Sequence, residues 1–240
     1  MSKKIAMLSA VAAGLLVGGC ANDKKNEQQA SMEKYKVLSG STSNEAPGTD
    51  KFDVAREPAL NPDTRFAAGQ LAESQGKMDC AMVQYEQALR LDAKHVPSLY
   101  RMGVVLTKVK QYEKAVTIWK RYIDATNNTA SGYSNLAFTY EMAGNVEQAE
   151  ESYKSGLAID AKSQPCRVNY GLMLARNNRT VEAEMQLAAV LEPAEVAYNL
   201  AAIYEQQGAI GQAREQLKKA LEVNPNMVEA QTKLATLPMD

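Results

Sequence analysis

The sequence predicts an all-α solenoid of about five helix–turn–helix units, closed by a C-terminal helix. Small residues recur at a 34-residue spacing, with one interval of 30, at Gly69, Gly103, Ala137, Gly171, Ala201 and Ala235. A bulky residue lies sixteen positions after each of the first five, at Tyr85, Trp119, Tyr153, Leu187 and Leu217. A period in the thirties indicates stacked supersecondary units rather than one globular core.

Each unit is predicted to contain two amphipathic helices separated by a turn. The apolar positions keep helical spacing on both sides of a break seven residues after the small residue. Residues that accept a left-handed backbone occupy that break at Gly76, Gly144, Asn178 and Gly208, and Lys110 is the exception. A small residue opposite a bulky one lets two antiparallel helices approach closely.

The unit boundaries follow from this register. We expect units at 62–95, 96–129, 130–163, 164–193 and 194–227, followed by a capping helix and tail at 228–240. The fourth unit closes four residues early, at Leu191-Glu-Pro193. The final helix would cover the otherwise exposed edge of the stack.

The third unit shows a family resemblance most clearly, in Tyr133-Ser-Asn-Leu136-Ala137-Phe-Thr-Tyr140 followed by Gly144, Ala149 and Tyr153. This pattern resembles the tetratricopeptide repeat, and the resemblance covers roughly residues 62 to 227. It implies a right-handed α-solenoid in which the first helix of each unit lines a concave surface. Tyr122 departs from the pattern, because a small residue is usual at its position.

The N-terminus predicts an exported lipoprotein. Lys3-Lys4 precede an apolar run from Ile5 to Val17, which predicts a signal peptide over residues 1–19. The ending Leu16-Val17-Gly18-Gly19-Cys20 resembles a bacterial lipobox, which implies lipidation of Cys20; the alternative is an ordinary secretory signal. Residues 20–61 are polar and predict a disordered tether. The resemblance implies the bacterial envelope, and Ala21 favours the outer membrane facing the periplasm in a diderm host.

Composition and motifs argue against several classes of function. A net charge of −1 offers no electrostatic case for nucleic-acid binding. No phosphate-binding loop, nucleophile elbow or cysteine pair at zinc spacing is present, and His95 is the sole histidine. We therefore expect no enzymatic activity, catalytic residue, metal, cofactor or small-molecule substrate.

The candidate binding residues lie on the first helices. Three asparagines occupy equivalent positions in successive units, at Asn135, Asn169 and Asn199. They resemble the asparagine ladder that holds a peptide backbone in some repeat proteins, although local side-chain hydrogen bonding explains them equally well. The other candidates for partner contact on these helices are Tyr100, Arg101, Lys108, Phe138, Arg176 and Tyr198.

These features predict a membrane-tethered scaffold that binds a protein segment in its groove. The plan is similar to that of lipoproteins that support pilus or secretion-channel assembly, such as pilotins and the tight-adherence pilus family. An adaptor for peptidoglycan enzymes or other periplasmic proteins is the alternative. An enzyme or small-ligand binder is a third hypothesis, disfavoured by the lack of a catalytic constellation.

Overall fold

The computed structural model describes residues 61–238, which contain eleven α-helices and no strand. The first helices of the five pairs are α1 (Pro62–Ser74), α3 (Val96–Lys108), α5 (Ala130–Met142), α7 (Gln164–Arg176) and α9 (Pro193–Gln206). Their partners are α2 (Met78–Leu91), α4 (Tyr112–Ala125), α6 (Val146–Ile159), α8 (Thr180–Ala188) and α10 (Ile210–Val223), and α11 (Val228–Thr236) follows them. The predicted all-α solenoid is confirmed.

Proline and side-chain caps define where several first helices begin. Proline lies in the first turn of four of them, at Pro62, Pro97, Pro165 and Pro193. A missing N–H is harmless there because no carbonyl precedes it in the helix. Asn61 Oδ1 accepts a hydrogen bond of 2.7 Å from the Thr64 N–H and caps α1.

Close approach of the two helices in a unit explains the recurring small residue. A Cβ atom at Gly69 would lie 2.6 Å from Tyr85 Cδ1. One at Gly103 would lie 2.6 Å from Trp119 Cε2. Both bulky rings are almost fully buried, so neither can move aside without opening the core. The 34-residue spacing of small residues therefore reflects one steric contact between the two helices of a unit, which is repeated along the stack.

The turn inside each unit has the same left-handed backbone, including the unit that lacks Gly or Asn. The φ angles are 74° at Gly76 and 62° at Asn178, and Lys110 adopts 61°. A left-handed conformation costs a residue with a Cβ about 1–2 kcal/mol. Lys110 bears that cost because the helices on both sides of it are fixed by their own packing.

Tyr122 is accommodated by a glycine in the next unit. Its ring centroid lies 5.8 Å from that of Tyr100 and 5.7 Å from that of Trp119. A Cβ at Gly132 would lie 3.3 Å from Tyr122 Cδ1 and 2.8 Å from Ile123 Cγ1. The large side chain thus fits because the facing helix is bare at this point.

The second helix of the fourth unit and the final helix differ from the others. α8 has 9 residues where the other second helices have 14, and it packs against its following helix over a shorter length. At the C-terminal end, α11 buries Ala230 completely and Leu237 follows it into the same cluster with Ala213 and Leu217. This helix caps α10, as the sequence predicts.

The predicted signal peptide (1–19), Cys20 and the tether (20–61) lie outside the described part of the chain, except for Asn61. Within residues 61–238, no helix combines the length and apolar character that a bilayer crossing requires.

Candidate binding surface on the first helices

The first helices form the inner side of the stack. In the third to fifth units, α5 contacts α7 and α7 contacts α9, whereas the second helices α6 and α8 do not approach each other comparably within the described residues. Elements on the inside of a curved stack are the ones that lie closest together. α3 joins α5 through Thr107, whose hydroxyl oxygen lies 2.9 Å from that of Thr139. The predicted groove residues lie on these four helices, α3, α5, α7 and α9.

Apolar side chains form a row along the inner surface. Tyr100 and Phe138 each expose 39% of their surface and Met142 exposes 48%. The row continues with half-buried side chains from α3, α7 and α9, at Val104, Val168, Leu172 and Tyr198. Exposed aromatic and methionine side chains in a recess are typical anchors for a protein partner.

The three asparagines differ in their hydrogen bonding. Asn135 makes no side-chain hydrogen bond with any described residue. Asn169 Nδ2 donates to Ser134 Oγ at 3.2 Å, across the joint between two units. Asn199 Nδ2 donates to the Glu195 carbonyl at 2.8 Å, within its own helix. No described residue donates to the Oδ1 atom of these asparagines, so each can accept from a ligand N–H, as a peptide-binding ladder requires. The Asn199 bond is the local side-chain hydrogen bond that the alternative interpretation expects.

Arg101 is bound within the protein by a carboxylate that the sequence analysis did not single out. Its guanidinium forms an ion pair with Glu73 of the preceding unit, with Nε donating to Oε2 at 3.2 Å. Tyr85 donates its hydroxyl to the same oxygen at 2.8 Å. Burial, reinforced by the Glu73 carboxylate, raises the pKa of Tyr85 to about 12. Arg101 thus ties the first two units together.

An equivalent ion pair recurs two units later, without the hydrogen bond from the tyrosine. Arg176 Nε donates to Glu141 Oε1 at 2.7 Å, and the Glu141 side chain is only 10% exposed. Tyr153 is fully buried beside this pair, and its burial raises its pKa well above the ordinary range. Its position in the third unit equals that of Tyr85 in the first.

A third pair joins the last unit to the cap, where Lys233 Nζ lies 2.5 Å from Glu205 Oε2. The acids of the three pairs sit four residues after the small residue of every other unit, at Glu73, Glu141 and Glu205. Each meets a base from the helix that follows its unit. This alternation is visible in the sequence and could have identified Arg101 and Arg176 as inter-unit contacts.

A further ionic cluster, centred on Glu150, joins the third and fourth units. Arg179 Nη1 donates to Glu150 Oε2 at 2.5 Å, and Lys154 Nζ lies 2.7 Å from Oε1. Tyr170 also donates its hydroxyl to Oε1, at 3.0 Å. These hydrogen bonds, those from Arg179 and Lys154 foremost, lower the pKa of Glu150 to about 2.

Two further predicted residues, Lys108 and Tyr198, are available on the surface. Lys108 is exposed and has no ion pair with a described residue. Tyr198 lines a shallow cavity of about 420 Å³ together with Val228, Glu229, Thr232, Lys233 and Thr236. The structure therefore divides the predicted groove set into side chains held by neighbouring units and side chains open to a ligand.

Comparison with known proteins identifies the repeats. Tetratricopeptide repeat models match residues 62–95, 98–162 and 194–227, together more than half of the chain. Tetratricopeptide repeat protein 8 of Caenorhabditis elegans is 25% identical over 166 residues, which are 65% of this chain and 32% of that protein. The peroxisomal targeting signal receptor of Komagataella phaffii is 23% identical over 192 residues, or 75% of this chain and 33% of the receptor. The chain thus spans about a third of the length of these two relatives.

Solved structures agree on the fold. A thermophilic tetratricopeptide repeat protein of Thermus thermophilus has a TM-score of 0.52 at 22% identity, covering 73% of this chain and 97% of that one. A tetratricopeptide repeat protein of Parabacteroides merdae has a TM-score of 0.53 at 16% identity, covering 89% and 79%. At these identities the similarity concerns the fold alone. The chain belongs to the tetratricopeptide repeat family.

Proposed function

We propose that this protein is a membrane-tethered, non-enzymatic scaffold that holds a protein segment on the inner surface of its solenoid. Tetratricopeptide repeat proteins generally mediate protein–protein interactions. The observation that supports this use here is the exposed row on the first helices, with Tyr100, Phe138 and Met142 beside the unbonded amide of Asn135. Such a row buries apolar surface on binding, which is the dominant favourable term in most protein–protein association.

The pairing of charges determines what kind of segment fits. Arg101 and Arg176 are already neutralised by carboxylates of neighbouring units, so these two cations add little net charge to the groove, and Lys108 is the predicted groove cation without an ion pair among the described residues. Recognition there would depend on apolar contact and on amide hydrogen bonds to a peptide backbone. An extended or helical segment with two or three apolar side chains on one face meets these requirements.

The groove can be tested with a double variant, Asn135→Ala with Phe138→Ser. Neither side chain is buried, so the free energy of unfolding should change by less than about 1 kcal/mol. Val181→Ser is the matched control, because Val181 is an apolar side chain on α8 that is 73% exposed. The measurement is affinity capture with crosslinking from membranes, followed by quantitative mass spectrometry of the partners. A partner that the control retains and the double variant loses supports the groove, and equal partner lists for all three proteins contradict it.

The membrane attachment belongs to the same proposal. Lipidation of Cys20 would place the repeats at the periplasmic face of the outer membrane, where several acyl chains give stable anchorage. A Cys20→Ser variant should accumulate as an uncleaved precursor or become soluble, and it should incorporate no labelled fatty acid. A Cys20→Ser protein that is still processed and still fractionates with membranes would refute lipidation.

The kind of complex that this scaffold assists is proposed from the order of segments along the chain. A lipobox, a polar tether and a repeat domain together favour assistance in assembling an envelope complex, such as a pilus or a secretion system. The identities of the captured partners distinguish this role from that of an adaptor for peptidoglycan enzymes, because the groove physics is the same in both.

A further inference from the structure

We propose that the cavity between α9 and α11 binds a lysine or arginine side chain of the protein segment held in the groove. This inference rests on the proposed function and adds a chemical requirement to the segment. The cavity of about 420 Å³ is lined by Tyr198 from α9 and by Val228, Glu229, Thr232, Lys233 and Thr236 from α11. Tyr198 belongs to the row on the inner surface, so the cavity continues the groove toward the C-terminal end of the stack.

The cation in the cavity wall is neutralised from outside the cavity. Lys233 Nζ lies 2.5 Å from Glu205 Oε2, which belongs to α9 and is not among the lining residues. Glu205 follows Tyr198 by seven residues, so both side chains lie on one face of α9. The pair therefore fixes α11 against α9 and leaves Lys233 without net attraction for an acidic ligand.

Glu229 supplies the charge that remains. It lies in the first turn of α11, is exposed, and forms no ion pair or hydrogen bond with the described residues. The lining residues and Glu205 together carry two carboxylates and one ammonium group. The cavity thus presents a net charge of about −1 to a ligand, which favours a cation.

The remaining surfaces suit the body of a long basic side chain. Tyr198 is half-buried and packs on one side against the cluster that contains Ala197 and Ala230, while the part of its ring that lines the cavity can contact an ammonium or guanidinium group. Val228 exposes 65% of its surface and can cover an aliphatic stem. Thr236 donates its hydroxyl to backbone carbonyls of α11, so its oxygen accepts from a ligand. A purely apolar ligand would leave Glu229 without a partner, and an acidic ligand would be repelled by it.

The test begins with a random linear peptide library displayed on phage and selected on the full chain. We expect enriched peptides to share an apolar pair and a Lys or Arg at a fixed distance from it. Failure to enrich any peptide would contradict the proposed function itself. Enriched peptides without a conserved basic position would overturn only the assignment of the cavity.

Variants then locate the basic residue. For a selected peptide measured by fluorescence anisotropy, Glu229→Gln should raise Kd about fivefold. Tyr198→Ala should raise it about tenfold, and Tyr198→Phe, which keeps the ring, should leave it unchanged. Glu222→Gln, which removes an exposed carboxylate from α10, is the matched control and should have no effect.

Charge reversal gives the sharpest outcome. Selection on Glu229→Lys should replace the Lys or Arg of the enriched peptides with Asp or Glu at the same position. Enrichment of the same basic residue on Glu229→Lys would overturn the proposal, because it would show that Glu229 does not select the charge of the bound side chain. Thermal denaturation of each variant controls for folding. The midpoint should stay nearly unchanged for Glu229→Gln and Tyr198→Phe. It should fall slightly for Glu229→Lys, which places a cation in the first turn of α11, and for Tyr198→Ala, which removes a ring packed against the last hydrophobic cluster.

Discussion

At the scale of single residues, one steric contact dominates the architecture. Gly69 and Gly103 face buried aromatic rings so closely that a methyl group would overlap them. The sequence predicts these pairs because a small and a bulky residue recur sixteen positions apart. It does not predict Lys110, whose left-handed backbone is imposed by the helices on either side. A lysine by itself disfavours a left-handed backbone, and tertiary packing overrides that preference.

The contact at Gly103 yields the first prediction. Gly103→Ala should destabilise the protein by about 1–3 kcal/mol, because the new Cβ would lie 2.6 Å from Trp119 Cε2 and force the helices apart. The measurement is the midpoint of urea unfolding. Thr117→Ala, an exposed change on α4, should change the free energy of unfolding by less than about 0.5 kcal/mol. Stabilisation by Gly103→Ala would show that helix propensity outweighs the steric contact.

At the scale of the helices, ion pairs join neighbouring units at every other joint of the stack. Glu73 and Glu141 each bind an arginine from the next first helix, and Glu205 binds Lys233 of α11. The Glu150 cluster adds a second connection between α6 and the fourth unit. In the sequence, Glu150-Glu151 suggests a solvated helix face. The structure shows that Glu150 instead lies at a joint, since the adjacent unit brings Arg179 and Tyr170 to it.

Glu150 provides a prediction about pH. Its pKa is lowered from 4.5 to about 2 in the folded protein, so its ionised form stabilises the fold at neutral pH. That contribution is present above about pH 4.5 and is lost as the pH falls toward 2. The shift corresponds to at most about 3 kcal/mol, which solvent screening reduces to on the order of 1 kcal/mol.

The measurement is the unfolding free energy of Glu150→Gln and of the unaltered protein between pH 7 and pH 2. The difference should be largest near pH 7 and should shrink below pH 4.5, because Glu150 of the unaltered protein becomes protonated, whereas the other carboxyl groups are common to both proteins and cancel. Glu147→Gln, an exposed change on the same helix, should give a small difference at every pH. A constant difference for Glu150→Gln would contradict the assigned ion pairs.

At the scale of the whole repeat domain, each unit is stabilised mainly by packing against its immediate neighbours. Buried clusters link each unit to the next, and α11 closes the last of them with Ala230 and Leu237. In such a one-dimensional stack, damage at one end should remain local.

Leu237→Asp tests whether damage at the C-terminal end remains local. A carboxylate at this buried position would detach α11 and expose the apolar face of α10. Hydrogen exchange should accelerate in α9, α10 and α11 and remain nearly unchanged in α1 to α4. Thr236→Asp, at the exposed neighbouring residue, serves as the control. Uniform acceleration across all units would mean that the domain unfolds as a single cooperative block.

The sequence by itself determined the repeat architecture, because helix formation, turn position and the pairing of Gly103 with Trp119 all depend on residues close together in the chain. It also placed the candidate residues on the first helices. Only the tertiary structure decided which of them are open to a ligand. Arg101 and Arg176 are held by carboxylates 28 and 35 residues away, across a joint between units. Those contacts depend on how neighbouring units are rotated against each other, which the spacing within one unit does not specify.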